Sequence, residues 1–306
     1  MAQLTVHNRP RRAQGKIMNL KYAVEVGDLV CTLPPREVTV IHASAEAPHL
    51  VSISAGGDPN LRVPNEVLAT HLVQRLSVTQ LPAPPSTGAA LTTHRCPARG
   101  KDHHGTVPVD AHLDGCISCG AGGTALRSLW YDDVARVFHV SAKAVGIPSV
   151  LEPTSIAVDS NIRGDVKLSN VSARHADQQY ADVITYEHTQ SDTRDKEAAL
   201  PGWHCDAAEQ YKHTKHFASV VASDSRNAFT PVAINEYAPL VPQAIELVDL
   251  IASRAHDPVT LKTHTMRRLA VVTATHVHRQ LHGRVRGHVA LAPAARARRT
   301  RASTVW

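Results

Sequence analysis

The sequence predicts a mainly β protein with some α, whose C-terminal half folds as a β-sandwich or jelly roll. Three observations predict it. Short apolar runs of strand length recur, namely ADVITYEH (181–188), HFASVVAS (216–223), LAVVTATHVH (269–278) and GRVRGHVALA (283–292). Only a few segments carry helical spacing. Aromatic residues are 4% of 306, so Val, Leu, Ile and Ala must build the core.

Taken in order, residues 1–81 read as a basic arm followed by a small β-rich domain. Apolar and polar positions alternate over Tyr22–Val30 and Val38–Ile41, with a Pro34–Pro35 break between them. VGDLV resembles the first turn of small SH3-like barrels. HLVSISAGG reads as another strand, closed by a Gly-Gly-Asp-Pro turn. PNEVLATHLVQRL then spaces Val67, Leu68, His71, Leu72 and Leu76 as a helix, with Asn65 placed to cap it. Residues 82–124 form a Pro-rich linker and a Gly/His/Cys-rich segment with little apolar periodicity. From 125 to 292 regular elements return as the jelly-roll body. LRSLWYDDVARVFHVSAKAV puts Leu126, Leu129, Trp130, Val134, Val137 and Phe138 on one helical face, and PLVPQAIELVDLIASRA (239–255) is a second helix. Residues 293–306 are a basic tail.

The net charge of +6 is unevenly placed. Residues 1–16 hold Arg9, Arg11, Arg12 and Lys16 without an acid, and residues 267–306 hold nine Arg without an acid. The ends therefore carry +4 and +9, which leaves −7 for the body between them. Contact with a polyanion would run through the ends, above all Arg296, Arg298, Arg299 and Arg301. No apolar run approaches the ~20 residues that span a bilayer. The N-terminus has no apolar stretch of the secretory kind, and five Cys in 306 residues make no disulfide scaffold. A cytoplasmic protein without membrane contact is the expectation.

Cys96, His103, His104, Cys116 and Cys119 fall in the pattern C-x6-H-H-x11-C-x2-C. Three thiolates and one of the two adjacent imidazoles would satisfy tetrahedral zinc. The segment is too poor in apolar residues to order by burial, and metal binding could supply that energy. The first half lacks a matching CxxC, so the pattern fits no standard finger, and an ordinary loop is the competing reading.

A second constellation lies further on. PGWHCDAAEQ sets His204 and Asp206 two apart in what reads as a strand end, with both side chains on one face. TATHVHRQ offers His276 and His278, and GRVRGHVAL offers Arg284 and Arg286. Two imidazoles and a carboxylate on one face of Fe(II) leave the opposite face open to cosubstrate and dioxygen. An Arg beyond the last His would pair bidentately with a distal carboxylate.

In these residues the stretch from Asp182 to Ala292 resembles the Fe(II)/2-oxoglutarate-dependent dioxygenases. The resemblance implies a double-stranded β-helix and oxidative decarboxylation of 2-oxoglutarate with hydroxylation of an unidentified substrate. It implies His204 and Asp206 as iron ligands, His276 or His278 as the third, and Arg286 or Arg284 as the 2-oxoglutarate anchor. Tyr186 or Tyr211 could bond the cosubstrate. The HxD pattern occurs again at His175 and Asp177. In the opposing reading Asp206 caps a helix beginning at AAEQYKH.

Other chemistry finds little support. No Walker A loop, GxGxxG fingerprint or GxSxG elbow is present. Cys205 reads as packing. His213 and His216 are spaced for one helical face, either as metal ligands or as a solvated surface. A different class of function is a non-enzymatic structural or nucleic-acid-associated protein of capsid or assembly type, with a zinc-stabilised segment and basic termini. No aromatic platform for bases is apparent, so a small-molecule or protein substrate is expected before nucleic acid.

Overall fold

The computed structural model describes residues 32–38, 40, 61–75, 94–95, 106–107, 120–153, 164–172, 176–186, 191–200, 202–218, 220, 224, 226–236 and 240–285. These residues are mainly helical around one open four-stranded mixed sheet, which corrects the mainly β expectation. Neither a closed β-sandwich nor a double-stranded β-helix (jelly roll) is formed among them.

The elements are α1 (Asn65–Arg75), β1 (His94–Arg95), β2 (Thr106–Val107), α2 (Gly120–Ala144), β3 (Ser149–Leu151), β4 (Val166–Ser172) and β5 (Ala176–Tyr186). There follow α3 (Ser191–Ala199), α4 (Trp203–Lys212), a π-helical turn (His213–Phe217), β6 (Asn227–Asn235), α5 (Pro242–Ala252) and α6 (Pro258–Val285). β1 and β2 pair as a separate antiparallel ladder. The main sheet has the order β3-β4-β5-β6, antiparallel at its first two joints and parallel between β5 and β6. The parallel joint requires a crossover, which α3, α4 and the π turn supply.

Where the described residues cover four of the expected strands, they are helical. LAVVTATHVH lies inside α6, where Leu269, Ala270, Ala274, Val277 and Leu281 are buried at intervals of one to four residues. An apolar run of ten residues suits a buried strand or a buried helix, and only the longer 28-residue context decides. The start of GRVRGHVALA also belongs to α6. HFASVVAS begins within the π turn, and its described residues Ala218 and Val220 are helical. Residues 35–38 and 40 are helical where Val38–Ile41 reads as a strand, opening behind Pro34 as proline permits at a helix start. The remaining strands expected within 17–81 lie outside the described residues.

Helices at α1, α2 and α5 follow the periodicity. α2 buries Trp130, Val134, Val137 and Phe138 together. It stops at Gly146, whose φ of 73° lets the chain reverse while Ile147 N–H donates to the Ala142 carbonyl at 3.0 Å. In α1 the buried face is Val67, Thr70, His71 and Gln74, rotated from the leucine stripe because α1 packs on the long polar-apolar helix α6.

Strand alternation divides the sheet into two faces. One face carries Val166, Leu168, Ala181, Val183, Val232 and Ile234, all within 3% of full burial, and joins the core that α2 and α5 complete. The other carries Tyr180, Asp182, Tyr186 and Phe229 and meets α4 and the π turn. Among the described residues no helix is long and apolar enough to cross a membrane.

Candidate functional site

The second face of the sheet buries charge where the first buries methyl groups. The β4–β5 register pairs Val166 with Ala181, so Asp165 stands next in line across from Asp182. Asp165 N–H donates to the Ala181 carbonyl at 3.0 Å, and its Oδ2 accepts Val183 N–H at 2.6 Å. Like charges set opposite each other on neighbouring strands are destabilising. Burial first, and the Asp182 charge second, push the Asp165 carboxyl up to about 7.

Cations reach the pair from above. Lys212, the last residue of α4, donates from Nζ to Asp182 Oδ2 at 2.7 Å. One helical turn on, His216 Nε2 lies 3.3 Å from the same oxygen. Lys212 and His216 are four apart, so the helix aims both at the sheet. Burial above all, and the Lys212 and Lys215 charges, lower the His216 pKa against the pull of Asp182. The side chains of Asp182, His216 and Lys212 are only 8%, 9% and 14% exposed. The site is therefore two facing carboxyls, one ammonium and one imidazole in a largely dry setting. Lys167, two residues along β4 from Asp165, adds an ammonium 5.7 Å from the Tyr180 ring centroid.

Sequence reasoning passed over Asp165, Asp182, Lys167 and Lys212. A signal existed in two strands that each placed an Asp inside an otherwise apolar alternation, RGDVKL and ADVITY. The register that sets them face to face is not readable from either strand alone.

The expected iron ligands take other places. His204 and Asp206 sit in the first turn of α4, not at a strand end. Two positions on a helix differ by about 200°, so the pair cannot share a face as it would on a strand. His204 is buried and Asp206 is exposed. The His204 ring lies 5.4 Å from both the Tyr186 and Trp203 rings, and the His204 backbone N–H donates to Glu197 at 2.9 Å. Glu197 also accepts Gly202 N–H at 2.8 Å, so one buried carboxylate satisfies two open donors at the start of α4. Gly202, with φ of 83°, makes the turn into that helix. The helix begins at Trp203, so Asp206 is a first-turn acid and not its cap.

His276 and His278 lie on α6, in the helical layer. His276 Nε2 is 2.9 Å from Asp133 Oδ2 on α2, and His278 Nδ1 is 2.8 Å from the Thr70 hydroxyl on α1. No group of three or more His, Cys, Asp or Glu suited to a metal forms among the described residues, so His204, Asp206, His276 and His278 do not converge as an iron centre. Arg284 lies in the last turn of α6, while Arg286, Cys96, His103, His104, Cys116 and Cys119 lie outside the described residues. So does His175, the first residue of the second HxD pattern.

Cys205 bonds the Tyr186 hydroxyl, and burial pushes its thiol up to about 11, which leaves it unreactive. Of the pair His213 and His216, one half is buried against Asp182 and the other stacks on Phe217 at 4.5 Å. No protein-family model matches the chain, and no curated protein matches it.

Proposed function

We propose that this chain is an enzyme that hydrolyses phosphodiesters of nucleic acid with a divalent cation held by Asp165 and Asp182. The observation that supports this reading most is the facing of those two carboxyls, with Lys212 on the same oxygen edge. Hard divalent cations such as Mg²⁺ are held by one or two carboxylates and complete their shell with water and substrate phosphate oxygens. A cation would relieve the repulsion that raises Asp165, and it would supply charge to a phosphoryl oxygen when bound. Lys212 presents an ammonium at the same place for a phosphate oxygen. His216 Nε2 lies 3.3 Å from the same Asp182 oxygen and holds that carboxylate in place.

A purely structural cluster would be expected to pair its charges one to one. Here the buried Asp182 and the half-buried Asp165 share one lysine, and strongly shifted groups gather preferentially at functional sites. Thirteen cationic residues without an acid in 1–16 and 267–306 favour a polyanionic substrate, and nucleic acid replaces the small-molecule expectation on that ground. A cytoplasmic location belongs to the same proposal, supported by the low cysteine content.

The test is cleavage of a fluorescent oligonucleotide with Mg²⁺ or Mn²⁺. EDTA should stop it, and Asp182→Asn should lower turnover at least about a hundredfold. Because Asp165 must lose its proton to hold a cation, cation affinity should rise as the pH passes about 7. Unchanged turnover in Asp182→Asn rejects the assignment. Release of succinate from 2-oxoglutarate that is lost in Asp206→Ala would instead restore the oxygenase reading.

A further inference from the structure

We infer that Tyr211 is a stacking platform for a nucleobase of single-stranded nucleic acid entering the Asp165–Asp182 site from the β4 side; this rests on the phosphodiester reading and names its substrate form. Helical geometry fixes the direction. Lys212 and His216 face the sheet through Asp182. His213, about 100° further round, lies over β6, its ring 6.1 Å from Phe229. Tyr211 is about 100° round in the opposite sense, which turns it toward β4, the neighbour of β5 on the other side. On that side stand Asp165 and Lys167.

The chemistry of the surface agrees with its direction. Tyr211 is 55% exposed, and unlike the exposed Phe217, which stacks on His213, it carries a lysine beside its ring. Lys215 Nζ lies 5.7 Å from its ring centroid, while Lys212 reaches Asp182 and Lys167 lies over the Tyr180 ring on the same face of the sheet. An open ring among ammonium groups beside a phosphate-binding site matches a strand whose bases are unstacked and whose phosphates track the lysines. A duplex keeps its bases stacked inside and offers no face to the ring. A π turn at His213–Phe217 follows α4, and such turns recur at functional sites.

Binding of a fluorescein-labelled oligothymidylate to the full chain, read by anisotropy in EDTA, tests this without turnover. Tyr211→Ala should weaken it roughly tenfold, Tyr211→Phe should bind as the parent does, and an abasic oligomer of equal length should bind parent and Tyr211→Ala alike. Equal oligothymidylate binding by parent and Tyr211→Ala, or an equal loss for the abasic oligomer, overturns the inference. The two readings fail separately. Tyr211-dependent binding with turnover indifferent to Asp182→Asn leaves the platform and removes the cation site. Turnover lost in Asp182→Asn with binding indifferent to Tyr211→Ala does the reverse.

Discussion

Two buried polar networks in this molecule use the same residue types to opposite effect. In the helical layer, Asp133 on α2 meets His276 on α6 at 2.9 Å, Ser141 meets Thr265 at 2.9 Å, and Trp130 donates to Thr273 at 3.3 Å. Asp133 also accepts from Arg136 at 2.6 Å, so its charge is answered within the fold. Burial pushes the Asp133 carboxyl up, but the His276 hydrogen bond and the His276, Arg136 and Arg279 charges bring it below its ordinary value. On the sheet, Asp165 and Asp182 face each other with one lysine between them, and Asp165 rises to about 7. The first network fastens helices together. The second sets two carboxyls on one lysine and keeps Asp165 protonated up to about pH 7, and groups shifted so far gather preferentially at functional sites.

The largest expected effect separates the two by activity. Asp182→Asn should remove turnover, while His276→Ala should leave the turnover of the folded protein unchanged. Stability reverses the order. His276 is 1% exposed, and its loss empties a buried position and removes a hydrogen bond to Asp133, at a cost of about 2 kcal/mol in urea unfolding. A cost under 1 kcal/mol would mean that the pair fastens nothing.

Acidity then distinguishes the networks by sign. Asp133 is depressed, so its contribution is present above the ordinary carboxylate range and is lost as the pH falls through its folded value. Asp165 is raised, so the folded state holds the extra proton between about 4 and about 7, and stability falls as the pH rises across that window. Asp165→Asn should flatten that slope and raise the melting temperature at pH 8 by about 4 °C. A slope in the parent that the variant keeps would place the titration elsewhere. The smallest effect belongs to Asp206→Ala. An exposed acid in the first turn of α4 contributes about 0.5 kcal/mol through the helix dipole, and its removal should not alter phosphodiester cleavage.

Much of the helical layer was legible because helical period repeats often enough to be unambiguous. Trp130, Val134, Val137 and Phe138 name the α2 face outright, and 239–255 brackets α5. The strand at ADVITYEH was also legible. HFASVVAS and LAVVTATHVH misled because β-branched residues in a short apolar run fit a buried helix as well as a strand. The HxD reading failed with them, since two-residue spacing unites side chains on a strand and divides them on a helix. Tyr211 was legible as a residue but not as a surface. The count of aromatics says nothing about which of them the fold leaves open.

By itself the sequence determined the apolar periods of α2 and α5, the acidic body between basic ends, and the scarcity of rings. These follow from composition and local spacing, which need no partner strand. Only the tertiary structure decided that Asp165 faces Asp182, that Lys212 and His216 descend on the same oxygen, and that Tyr211 is left exposed beside Lys215. Those are matters of register and of the side from which a crossover helix covers its sheet. Both depend on residues far apart in the chain being brought to one place, and no local pattern records that.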